Sequence, residues 1–297
     1  MPIWTIQTIL PVSQKYLAEK SIESAARLEA ELLLAHVLKV DRVYLFTHFE
    51  RPLEESELAA YRELLRRRAA QEPVAYILGT REFMSLKFTV DPRVLIPRPE
   101  TELMVETALA YLELVGAGEV CDIGTGSGAV AIAIKYYCQQ AIAVTGLDIS
   151  PEALALARKN GGDLKVTVEW QESDLLQNLK PQQRFALITA NLPYVGTEEY
   201  LTLPREVREY EPSLALLAGT DGMDLYRILA VQALDYLIPG GIILFEISPH
   251  QAELLPEVLG FAYDWQVLKD LSGRNRLVKA WRKEDADRVL AHRPALS

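Results

Sequence analysis

A chain of 297 residues, 49% hydrophobic and 24% charged, has room for one large globular domain or two ordinary ones. Residues 1–97 carry 13 basic and 13 acidic side chains, so the whole net charge of −10 falls on residues 98–297; such a surface repels a phosphate backbone, and no direct DNA binding is expected. Two cysteines exclude a disulfide framework, and no apolar run nears the roughly 18 residues that span a membrane, so a cytoplasmic protein without a membrane partner is expected.

The start, Met1-Pro2-Ile3-Trp4-Thr5, lacks the basic and apolar parts of a secretory signal. Residues 24–38 are rich in strong helix formers, with Leu28, Leu32, Ala35 and Leu38 at helical spacing and charges between them. A second helix is expected over 54–70, with Pro52 before it and Pro73 after it. Its Arg66-Arg67-Arg68 trio reads as a solvated, dipole-opposing helix end. Residues 1–75 thus form a small helical domain, followed by a β-hairpin connector over 76–97 in which residues 86–90 alternate as a strand should.

From residue 98 the chain alternates strand and helix, which predicts an α/β domain with a largely parallel sheet, running to 285 and followed by a disordered tail at 286–297. Pro99 with Glu100 and Glu102 suits a helix start, the helix continuing to about residue 111. Strands are expected at 119–123, 142–148, 165–170, 185–190 and 242–247, with a terminal antiparallel pair at 265–269 and 276–281. Ser150-Pro151-Glu152 opens a helix with a good cap, and a helix over 222–237 should end at Pro239-Gly240-Gly241.

Two segments carry the chemistry. Gly124-Thr125-Gly126-Ser127-Gly128 joins a strand to a helix, letting the backbone turn tightly beside a ligand, and Asp148 ends the next strand where a carboxylate can accept from both ribose hydroxyls. The spacing is G-x-G-x-G, neither the G-x-G-x-x-G fingerprint nor a P-loop, so a nucleoside cofactor is the natural occupant, with a nicotinamide dinucleotide as an alternative. Asn191-Leu192-Pro193-Tyr194 follows the buried strand 185–190, at the carboxyl end where open α/β sheets place ligands. The Asn191 oxygen and the Leu192 carbonyl, extended because Pro193 follows, offer two acceptors for a planar NH2 group, and the Tyr194 ring offers a stacking face. His250 and His292 have no evident acidic or nucleophilic partner, and no metal site is expected.

Glycine loop, ribose-binding carboxylate and Asn-X-Pro-Tyr in this order resemble a class I S-adenosylmethionine-dependent amino-methyltransferase, with its Rossmann-like seven-stranded fold. The stretches 26–38, Glu72-Pro73-Val74-Ala75-Tyr76-Ile77-Leu78-Gly79, Leu95-Ile96-Pro97-Arg98-Pro99-Glu100-Thr101-Glu102, Glu206-Val207-Arg208-Glu209-Tyr210-Glu211-Pro212, Glu246-Ile247-Ser248 and Gly273-Arg274-Asn275-Arg276 are similar to the HemK/PrmC family. That family methylates the side-chain amide of the glutamine in the Gly-Gly-Gln loop of class I peptide chain release factors. The resemblance covers both domains and implies S-adenosylmethionine as donor, S-adenosylhomocysteine as product and a release factor as partner. It implies that Asp122, Gly124, Thr125, Gly126, Ser127 and Gly128 hold the methionine part, Asp148 the ribose, and Asp174 or Leu175 the adenine, with Asn191 bordering the donor. Asn191, Leu192, Pro193 and Tyr194 would hold the amide, and Arg98, Glu100 and Thr101 would line the site. Leu192 departs from the family's usual Asn-Pro-Pro-Tyr; the implied acceptor is its carbonyl, so the side chain should be replaceable. The same clamp could serve a DNA adenine-N6 methyltransferase, and a non-catalytic cofactor-binding adaptor is a further alternative.

Overall fold

The computed structural model describes residues 4–20, 22, 25–116 and 118–291. It separates into two compact units, dividing between Thr80 and Arg81, with Pro204–Tyr210 grouped with the first.

The first unit is helical: Ile6–Ala18, Ala26–Leu38, Arg42–Thr47, Glu55–Ala69 and Val74–Leu78. Its core gathers Ile6, Leu17, Leu33, Leu34, Leu45 and Tyr61, and the Tyr61 hydroxyl donates to the Ala30 carbonyl at 3.0 Å. The expected helix start at Ser24 lies outside the described residues. The buried face of Ala26–Leu38 follows the 28/32/35/38 stripe only in part: Ala35 is buried and Leu38 packs against the core, but Leu28 is exposed, and Ala26, Ala30, Leu33 and Leu34 turn inward together with Glu29 and Glu31. The buried carboxylates are accommodated there because each has a basic partner. Arg68 lies 2.6 Å from Glu29, and Arg27 and Arg42 both reach Glu31. Arg68 is therefore a buried ion-pair member rather than part of a solvated trio, and it also pairs with Glu206 of the helix Arg205–Tyr210 at 2.8 Å. Arg66 and Arg67 pair with Glu63 and Glu72.

The second unit opens with a two-stranded hairpin, β1 (Thr80–Phe83) and β2 (Leu86–Thr89), shorter than the expected 76–97 because residues 74–78 are helical and residues 90–98 form a loop without strand. A short 3-10 turn, Pro99–Thr101, leads into the helix Glu102–Val115. The seven-stranded sheet comprises β3 (Gly118–Ile123), β4 (Ile142–Asp148), β5 (Glu169–Glu172), β6 (Phe185–Ala190), β7 (Leu237–Glu246), β8 (Tyr263–Lys269) and β9 (Asn275–Arg282), in the order β5-β4-β3-β6-β7-β9-β8. β3 to β7 are parallel, and β9 runs antiparallel between β7 and β8. The order reverses between β3 and β6, so the topological switch point lies at their carboxyl ends.

Three boundaries differ from the sequence expectation. The third strand begins at Glu169, not residue 165, because Lys165 caps the preceding helix in the left-handed region (φ 58°) and Val166 N–H bonds back to Gly161. The helix Asp224–Gln232 ends early, and Leu237 already pairs with Phe185; Pro239-Gly240-Gly241 then sits in a register shift inside β7 rather than stopping a helix. The expected tail at 286–297 starts with a helix, Ala286–Ala291; its remainder, with His292, lies outside the described residues.

Candidate active site

The register of β3 against β6 builds the site. Asp122 pairs with Thr189 and Ile123 with Ala190, which places the glycine loop directly beside Asn191-Leu192. Gly124 has φ 66°, and a Cβ there would lie 3.1 Å from Leu192 Cδ2 and 3.5 Å from the Asn191 carbonyl. The bare backbone at Gly124 is thus what lets the two segments meet. Gly128 serves a different purpose: a Cβ there would meet the Trp170 ring at 2.8 Å.

A cavity of about 370 Å³ opens at this switch point, within the range of small-molecule sites. Its wall includes Asp122, Gly124, Thr125, Gly126 and Ser127, then Asp148, Asp174 and Leu175, then Asn191, Leu192 and Pro193, with Arg98 and Thr101. Gly128, Glu100 and Tyr194 are not part of that wall. The Tyr194 ring, expected as a stacking face, packs against the core cluster of the sheet, and its hydroxyl donates to Glu246 Oε1 at 3.0 Å. Leu192 is also not a bystander. Its side chain is 4% exposed within the same cluster, so truncating it would leave a cavity in the core. Its N–H donates to the Tyr226 hydroxyl at 3.2 Å, which in turn donates to the Glu246 carbonyl at 2.7 Å. A proline at 192 would lack that N–H; here a hydrogen bond does the work of a locked φ.

The two acidic residues are held by short bonds. Asp122 Oδ2 accepts from the Thr125 hydroxyl at 2.6 Å and Oδ1 from the Thr189 hydroxyl at 2.7 Å. Burial still pushes the Asp122 carboxyl up to about 6, with those hydroxyls pulling the other way. Asp148 Oδ2 accepts from Gly126 N–H at 2.8 Å and Oδ1 from Ser150 N–H at 2.9 Å, fastening the loop to β4. Burial raises its carboxyl too.

The Asp122 shift carries a pH prediction. The native state keeps a proton that the unfolded chain, with a carboxyl near about 3.9, has released, so stability falls as pH rises through the window from about 4 to about 6. The loss is on the order of 3 kcal/mol. Asp122→Asn should remove this slope: its Tm converges with the parent's near pH 4 and exceeds it at pH 7. Parallel Tm profiles for the two proteins would show that Asp122 does not titrate in this way.

Sequence reasoning missed the residues that organise the wall. Glu246 ends β7, the neighbour of β6, and Ala190 pairs with Phe245, so Glu246 stands next to Asn191 only through the sheet register. Its buried carboxylate accepts from Thr101 at 2.7 Å as well as from Tyr194. Glu211, also buried, accepts from Ile96 N–H at 3.1 Å and from the Arg98 guanidinium, tying together two loops that border the cavity. No local pattern marks these acids as partners, since each lies 52 or more residues from the groups it binds.

Residues 10–79 match the family described as PrmC N-terminal domain, and residues 120–210 match the family described as Methyltransferase domain. A T. thermophilus 16S rRNA methyltransferase, solved with AdoMet and guanosine, superposes with TM-score 0.50 at 18% identity, over 69% of this chain and 50% of that one. The sheet order, the glycine loop at its switch point and these similarities define a class I methyltransferase fold. Release factor glutamine methyltransferases from Geobacter sulfurreducens (45% identical, covering 93% of this chain and 96% of that protein), Koribacter versatilis (42%, 88% and 94%) and Rhodopirellula baltica (40%, 93% and 95%) are similar along nearly their whole length. The chain belongs to the release factor glutamine methyltransferase family.

Proposed function

We propose that this protein transfers the methyl group of S-adenosylmethionine to the side-chain amide nitrogen of the glutamine in the Gly-Gly-Gln motif of class I release factors. The observation that carries the reading is Asn191, an amide with its Nδ2 already engaged, standing at the switch point beside the glycine loop in a chain of this family. Family membership favours this over DNA adenine methylation or a cofactor-binding adaptor, and the net charge of −10 also disfavours a duplex DNA substrate.

The wall suits the donor. Each Asp148 oxygen has one backbone N–H and a second acceptor site remaining, enough for two ribose hydroxyls. Asp122, Thr125, Gly126 and Ser127 line the cavity and would offer polar and backbone groups to the methionine part, and Asp174 and Leu175, on the same wall, would flank the adenine. Bound S-adenosylmethionine supplies an already activated methyl group on a sulfonium, so the protein's main task is alignment, which contributes roughly 7–11 kcal/mol in favourable cases. An amide nitrogen is a poor nucleophile because its lone pair is delocalised into the carbonyl. Asn191 Oδ1 and the Leu192 carbonyl would accept both of its protons, orient the nitrogen, and stabilise the positive charge that grows on it. Pro193 keeps Leu192 extended, and Arg98 and Thr101, which line the same cavity, would border the amide. This substrate places the protein in the cytoplasm; among the described residues no helix is long and apolar enough to cross a membrane.

The test is incubation with S-adenosylmethionine and a class I release factor, with the product mapped by mass spectrometry. One added methyl on the Gly-Gly-Gln glutamine is expected. Bound cofactor without that methyl, or methylation of duplex DNA instead, would overturn the reading.

A further inference from the structure

The Thr101 hydroxyl stands between two groups. It donates to Glu246 Oε2 at 2.7 Å and lies 3.2 Å from Asn191 Nδ2. Glu246 and Thr101 are 2% and 4% exposed, and the second Glu246 oxygen accepts from the Tyr194 hydroxyl. Hydrogen-bond inventory then dictates the direction of every link. Burial raises the Glu246 carboxyl, while the Thr101 and Tyr194 hydroxyls and the Arg276 charge favour its ionised form. As a carboxylate it can only accept, so Tyr194 and Thr101 both donate to it, as the geometry also has it. A hydroxyl has one proton, and that of Thr101 is spent on Glu246, so toward Asn191 the same oxygen can only accept. The NH2 end of the Asn191 amide must therefore face Thr101. Its oxygen is the end left for a ligand in the cavity that Asn191 borders.

We propose that Thr101 and Glu246 are positioning residues that set the polarity of the Asn191 amide, so that the site presents an acceptor and selects a glutamine amide over a glutamate carboxylate. This rests on the reading of Asn191 as the amide-binding group. With the relay intact, a carboxylate in the glutamine's place would meet acceptors with no proton to share. With the relay cut, the Asn191 amide is free to turn its NH2 outward, and the share of the penalty that Asn191 imposes on a carboxylate disappears, while the Leu192 carbonyl keeps its own.

Thr101→Val removes the hydroxyl at nearly constant volume, and Thr101→Ser keeps it. The readouts are kcat and KM on a release factor, S-adenosylmethionine affinity, and the relative affinity of the protein, loaded with S-adenosylhomocysteine, for release factors carrying Gly-Gly-Gln or Gly-Gly-Glu. The valine variant is expected to lose about tenfold in kcat and about tenfold of its glutamine-over-glutamate preference, with cofactor affinity unchanged. The serine variant should restore both. A folded valine variant with the parent's glutamine preference overturns the inference alone. Should that variant not fold, Thr101→Ala, measured in the same way, decides it by the same criterion. A parent protein that binds S-adenosylmethionine yet leaves the release factor unmethylated overturns the functional reading and this inference with it.

Discussion

Asn191→Ala is expected to lower turnover on a release factor roughly tenfold to hundredfold, equivalent to about 1–3 kcal/mol of lost amide recognition. The variant deletes one of the two acceptors and, with it, the group that Thr101 holds in place. The effect should fall on kcat more than on KM, because stabilisation of charge growing on the nitrogen is realised in the transition state. Steady-state kinetics at saturating donor, with cofactor binding measured alongside as a control for folding, checks it. Near-parental turnover would remove Asn191 from the assigned role and leave the Leu192 carbonyl as the main acceptor. The backbone of Leu192 is fixed independently through Tyr226, so truncating Asn191 does not remove both acceptors at once.

Arg68→Ala is expected to cost about 3–5 kcal/mol of stability, the usual consequence of stranding one member of a buried ion pair. Arg68 is 4% exposed and Glu29 is 8% exposed, and the guanidinium joins the helix Ala26–Leu38, through Glu29, to Glu206 on Arg205–Tyr210. Truncation leaves the Glu29 carboxylate buried without its counter-charge. Urea denaturation followed by far-UV circular dichroism measures the loss. A companion variant, Arg68→Met with Glu29→Leu, should recover most of it, because a well-packed apolar pair of similar volume often matches a buried ion pair. A loss below about 1 kcal/mol for Arg68→Ala would show that water reaches the Glu29 carboxylate.

Periodicity and turn chemistry were enough to read most of the sheet in the sequence. β3, β4, β6 and the terminal hairpin are apolar or alternating runs bounded by glycine, proline or a capping residue, and those local signals survive folding because they act within a few residues. Where long-range contacts compete with local preference, the reading slipped. The 28/32/35/38 stripe was the obvious face of its helix, yet Leu28 is exposed while Ala26, Ala30, Leu33 and Leu34 face the core, with Glu29 and Glu31 buried because basic partners reach them across the fold. Pro239-Gly240-Gly241 looked like a helix stop, yet pairing of Leu237 with Phe185 makes it an irregularity inside a strand.

The site divides in the same way. The glycine loop, Asp148 and Asn191-Leu192-Pro193 are legible because each is one short segment at a strand end, where the sheet brings them to one cavity. Sequence alone was enough for the class of fold, the glycine loop after β3 and the Asn191-Leu192-Pro193 segment after β6, since glycine, proline and a strand-ending carboxylate impose their geometry locally. Only the tertiary structure decided what holds that segment and which way it faces. Tyr194 belongs to the Glu246 network rather than to the cavity wall, Leu192 is bound through its N–H as well as buried through its side chain, and Thr101 orients Asn191. Those links join residues 34 to 145 positions apart, and a hydrogen bond across such a span is set by strand register, which no window of sequence contains.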